Sequence, residues 1–122
     1  MLFEKFNDSK IGHVFKRIKE YEELIIGTWV SINEDSTFTD SKQWLKFEEE
    51  KVTIKMNNMP TGNVKSEIGF DGDFYIKLLG YPSITYNILH LDNNLFAIKL
   101  RNNHIKQYFK RSSIKNMVIN HN

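Results

Sequence analysis

Leu24-Ile25-Ile26-Gly27-Thr28-Trp29 is the stretch on which the reading of this chain turns. Before Gly27 the apolar residues recur at helical spacing. After it they alternate, or come in short β-rich runs, almost to the end. The hydrophobic period therefore changes at Gly27 from about 3.6 to about 2. Glycine suits a helix-to-strand junction, because no Cβ obstructs the turn of the backbone. Trp29 then opens the first strand with a very large apolar side chain.

Upstream of the hinge, Ile11, Val14, Phe15, Ile18, Tyr21 and Ile25 share one helical face, and Lys16, Arg17, Lys19, Glu20 and Glu23 fill the other. Asp8 or Ser9 is the expected cap. This predicts a helix from there to about Glu23, preceded by an arm that contains Leu2, Phe3 and Phe6. Such a helix is expected to lie on the rest of the fold or to close one end of it. A partner-binding or dimer helix is the alternative.

Downstream, strands are predicted at about 27–33, 42–48, 52–57, 64–70, 74–79, 83–91, 95–101 and 104–111. Glu48-Glu49-Glu50-Lys51 makes a charged turn, and Asp71-Gly72 is the strongest hairpin signal in the chain. Asn102-Asn103 tolerates left-handed backbone and forms another turn. Connections this short, recurring about every 8–12 residues, indicate a meander of antiparallel hairpins. Closing it removes both exposed edges. The predicted fold is mainly β: an eight-stranded antiparallel up-and-down barrel over residues 27–111. An N-terminal arm and amphipathic helix occupy residues 1–26, and a short C-terminal tail residues 112–122. In the tail, Ile114, Met117 and Val118 allow a short helix.

The chain has 122 residues, 40% of them apolar, enough for one domain with a real core. With no cysteine, neither disulfides nor thiolate metal sites can form. Charges at Glu4, Lys5, Asp8 and Lys10 interrupt the N-terminus, and no run reaches the length of a membrane span. A soluble, cytoplasmic protein is expected. Residues 101–122 carry five basic and no acidic side chains. This end either meets an acidic partner or nucleic acid, or neutralises acidic neighbours such as Glu34 and Asp35.

Alternation assigns the predicted lumen. Phe47, Ile54, Ser66, Phe74, Tyr86, Ile88, His90 and Gln107 are the candidate ligand-binding residues, an apolar set with a few polar groups. The same polar groups can equally satisfy one another in a filled core. On the first strand Trp29 and Val30 cannot both face inward. The histidines lie far apart without metal-ligand spacing, and no nucleophile elbow, phosphate loop or His-Glu-x-x-His motif occurs. No catalytic residue, metal or cofactor is expected, so the chain is not read as an enzyme. Lys106-Gln107-Tyr108-Phe109-Lys110-Arg111 interleaves bases with aromatics, but Tyr108 and Phe109 face opposite sides and form no single stacking platform. Nucleic acid is therefore a weaker expectation than a small molecule or a protein.

Gly27-Thr28-Trp29, followed by about eight strand-like runs and a terminal Arg111, resembles the lipocalin-like (calycin) small β-barrels. Their first strand opens with Gly-x-Trp, and a basic residue ends the last strand and packs on that Trp. The resemblance assigns structural roles to Gly27, Trp29 and Arg111 and points Trp29 inward, leaving Val30 and Ile32 beneath the helix or the tail. It implies non-enzymatic binding of a small apolar ligand inside the barrel. The alternative is a filled barrel acting as a partner-binding module, such as an inhibitor or an immunity-type protein that neutralises another protein.

Overall fold

Helix α1 (Leu2–Leu24) leads into eight strands: β1 (Gly27–Ile32), β2 (Trp44–Phe47), β3 (Val52–Lys55), β4 (Gly62–Phe70), β5 (Phe74–Leu79), β6 (Ile84–Leu91), β7 (Leu95–Leu100) and β8 (Lys106–Arg111). The computed structural model describes residues 2–33, 35, 37, 43–55, 62–80 and 82–112, with side chains from residue 11 onward. The expected end of the third strand at residues 56–57 and the C-terminal stretch with Ile114, Met117 and Val118 lie outside these residues.

Each strand pairs antiparallel with the next, and β8 closes onto β1, so the sheet is a closed barrel. The turns explain the order. Gly72 takes a positive φ of 110° between β4 and β5, and Asn102 one of 73° between β7 and β8. Both are residue types that accept left-handed backbone. Register then follows the hydrophobic alternation: Trp29 stands opposite Leu45 on β2, and Phe96 on β7 stands opposite Phe109 on β8.

Helix α1 begins well before the expected cap. Asp8 and Ser9 are interior helical residues, and no breaker separates them from Leu2. At 23 residues α1 is about 34 Å long at the helical rise. Among the described side chains, those toward its C-terminal end pack on the barrel. Ile25 is buried, Tyr21 and Leu24 pack against the core, and Tyr21 meets Phe74 edge-on at 5.4 Å. Ile11 and Phe15 share the apolar face but are 51% and 67% exposed.

Trp29 faces the lumen and is fully buried. Val30 and Ile32 are buried on the opposite, outer face; α1 packs chiefly on β4, and the tail expected as their other cover lies outside the described residues. In register, Trp44 and Lys110 flank Val30, and Tyr108 flanks Ile32. Of the acidic neighbours expected to neutralise the basic end, Glu34 lies outside the described residues, and Asp35 pairs with none of its bases among them. Asp35 instead accepts hydrogen bonds from the amide and hydroxyl of Thr37. Arg101 forms a fork to both carboxylate oxygens of Asp71, at 2.6 and 3.0 Å.

Candidate functional site

The end of the barrel nearest α1 is packed with aromatic rings. Phe96 is the hub: its centroid lies 5.6 Å from Trp29, 6.1 Å from Phe47 and 5.9 Å from Phe109. These side chains come from the four neighbouring strands β7, β8, β1 and β2 and converge in the lumen. Ring pairs at these separations add to simple area burial. Val52, Ile76, Leu91 and Ile98 complete the buried cluster. No polar or charged residue is fully buried among the described residues.

A polar cap sits over this plug. The Trp29 Nε1–H donates to the Ile25 carbonyl at 2.8 Å. Arg111, at the end of β8, places its guanidinium carbon 4.2 Å from the Trp29 ring centroid. It donates to the carbonyls of Ile26 and Asn93, each at 2.7 Å, and to that of Leu24. The last carbonyls of a helix lack intrahelical partners, and a cation there suits the helix dipole. The last turn of α1 contains no basic residue. Arg111 supplies that charge from the far end of the chain, and its burial pushes its pKa below the ordinary value.

The residues expected to bind a ligand separate into three groups. Phe47 is buried in the ring cluster, and Ile54, Tyr86 and Ile88 pack against the core. Gln107 stands opposite Ile98 in register and is half-buried on the lumen face. Burial raises the Tyr86 phenol above its usual pKa. Phe74 lies under α1, against Tyr21 and Phe70. Ser66 shares the lumen face of β4 with Ile68 but is exposed in a groove beside α1.

His90 is a correction. The β6–β7 register shifts between Ile88 and His90, so Leu91 takes the inward position opposite Phe96. The bulge inserts an extra residue and turns His90 outward. There its Nε2 lies 2.6 Å from an Asp92 oxygen. Asp92 also accepts from the amides of Asn94 and Leu95, which fixes the β6–β7 turn. Together these bonds, His90 first, hold its carboxyl at about 2.

The chain matches no family model, no curated protein and no solved structure. Among the described residues no helix is long and apolar enough to cross a membrane, and no cluster of acidic, histidine or cysteine side chains is arranged to hold a metal ion.

Two features had no sequence signal strong enough to find them. One is the exposed half of the α1 apolar face at Ile11 and Phe15. The other is the groove between α1, the β2–β3 turn and β4, lined in part by Ile25, Ile26, Glu48, Glu49, Ser66 and Ile68, with a volume of about 680 Å³. Both depend on where α1 crosses the barrel, which its own periodicity does not specify.

Proposed function

We propose that this chain is a non-enzymatic partner-binding module, in which a lipocalin-like barrel serves as a filled scaffold. The observation that carries this reading is the ring cluster. Trp29, Phe47, Phe96 and Phe109 occupy the helix-proximal lumen, where an apolar cargo would otherwise sit. Apolar side chains left exposed include Ile11 and Phe15 on α1 and Phe70 at the β4–β5 hairpin. Ile11 and Phe15, four residues apart on α1, are neighbours on one helix face, and exposed apolar neighbours are a usual mark of an interaction surface. Kinship with lipocalin-like barrels rests on Gly27, Trp29 and the Arg111 contact across the Trp ring.

Affinity capture with the full chain as bait, followed by reconstitution from purified components, tests this reading. A stoichiometric protein complex is the expected result. Failure to reconstitute any complex, together with an apolar molecule that co-purifies, is the opposing result.

One observation favours the small-ligand reading. Tyr86 and Gln107 face the lumen beyond the ring cluster and are only half-buried, the composition expected of a pocket wall with a few polar groups. Tyr86→Phe with Gln107→Leu would then change the affinity for an apolar dye. In the filled-scaffold reading these changes leave dye binding absent.

A further inference from the structure

The barrel is closed, but the β3–β4 seam is zipped along only part of its length. β3 pairs with β4 at Gly62, Asn63 and Val64 and no further. On its other side β4 remains paired with β5 from Lys65 through Phe70. Six consecutive residues of β4 therefore have no strand on the β3 side. Among the described residues, no backbone hydrogen bond from a turn, loop or helix reaches this edge. A row of free N–H and C=O groups is a template for another strand. At about 3.3 Å per residue the free edge is about 20 Å long.

The groove described above runs beside this edge. Ser66 and Ile68 belong to the unpaired stretch, Ile25 and Ile26 supply apolar surface, and Glu22, Glu23, Glu48 and Glu49 outnumber the single base, Lys19. None of these carboxylates is in an ion pair among the described residues. The geometry points to strand addition here: an extended segment of a partner protein, alternating apolar and basic residues, pairs with Lys65–Phe70. Its backbone completes the β4 ladder. The basic set enters the groove, its stems covering Ile25, Ile26 and Ile68 and its charges meeting the glutamates, while the alternate apolar set lies on the opposite face of β4. This is the edge-pairing mode of peptide recognition, in which the backbone provides affinity and side chains provide choice. The free edge carries the inference, and the groove charge sets the sign of the partner. The inference rests on the partner-binding reading and names the surface it uses.

The test uses the full chain and three fluorescently labelled synthetic peptides of ten residues. One alternates lysine and valine, one alternates glutamate and valine, and one has the lysine pattern with two central valines replaced by proline. Anisotropy titration reads affinity, and amide hydrogen exchange reads the edge. The lysine–valine peptide should bind saturably and slow exchange within Lys65–Phe70. The glutamate peptide should bind at least about tenfold more weakly, because like charges meet across the groove. The proline peptide should also weaken, since proline cannot donate to the ladder. A folded Glu48→Lys/Glu49→Lys variant should lose about tenfold in affinity for the lysine peptide.

Absence of saturable binding overturns the inference. So does equal binding of the glutamate or proline peptide, or binding that leaves exchange at Lys65–Phe70 unchanged. Slow exchange there before any peptide is added, from a second copy or from the chain's own C-terminal residues, also overturns it. If a reconstituted partner binds the Glu48→Lys/Glu49→Lys variant as well as the original chain, the partner-binding reading stands and the groove is excluded.

Discussion

Arg111 holds Trp29 in place from the opposite end of the domain: its guanidinium carbon lies 4.2 Å from the indole centroid while its nitrogens bond the carbonyls of Leu24, Ile26 and Asn93. One side chain thus joins the helix end, the first strand, the β6–β7 turn and the last strand. Lysine carries the same charge but lacks the planar fork that reaches several acceptors. Arg111→Lys should therefore cost about 2 kcal/mol, the scale of hydrogen bonds to a charged group. Urea denaturation measures it, and a loss under about 0.5 kcal/mol, the range of neutral surface changes, contradicts the assigned role.

Trp29 is fully buried and packs against Phe96 with the two rings tilted at 52°. Trp29→Ala should destabilise the fold by about 3–5 kcal/mol through lost burial and the cavity left behind. Trp29→Phe keeps an aromatic plug but removes the donor to the Ile25 carbonyl. Its expected cost is about 1–3 kcal/mol, set by the acceptor left without a partner. Equal losses for the two variants in denaturant titrations would mean that the hydrogen bond contributes more than the packing.

Gly27 has a φ of 134°, where a side chain is strained, and an added Cβ would lie 2.5 Å from the Arg111 Nη1. Gly27→Ala should thus lower stability by more than the roughly 1 kcal/mol that backbone entropy alone could return. The effect should shrink in an Arg111→Ala background, because the contact has gone while the strain remains. A double-mutant cycle reads this coupling. Simple additivity of the two losses would place Arg111 away from Gly27.

The acid limb of the stability curve reports on the β6–β7 turn. Asp92 is held at about 2 against an ordinary 3.8, so its folded value is depressed. Its contribution is therefore complete above the unfolded value and fades as the pH falls through about 2. Solvent screening keeps the contribution modest, because the pair is half-exposed. Carbon-detected titration of the Asp92 carboxyl should show the low midpoint, and His90→Ala should move it upward. A midpoint that ignores His90 would contradict the pairing.

The strand pattern was legible because turn chemistry and alternation agreed. Asp71-Gly72 and Asn102-Asn103 mark hairpins through residue types that accept positive φ, and the runs between them alternate with period 2. The His90 placement failed at a bulge. Ile88-Leu89-His90-Leu91 has apolar residues on both faces, so strict alternation could carry His90 inward while leaving Leu91 out. Only the shifted pairing with Phe96 and Ala97 resolves it. The helix start was missed because Asp8-Ser9 reads as a cap, although the preceding Leu2–Phe6 segment is equally able to be helical. The partly open β3–β4 seam follows from the unequal strand lengths, 4 residues in β3 against 9 in β4, and alternation does not register it.

Titration of the purified chain with a fluorescent apolar probe such as cis-parinaric acid, paired with native mass spectrometry, tests the filled scaffold most directly. A filled barrel gives no saturable probe binding and only the mass of the 14.5 kDa polypeptide. One probe bound per chain, quenching Trp29 and displaceable by a fatty acid, or an apolar molecule retained through purification, would contradict it.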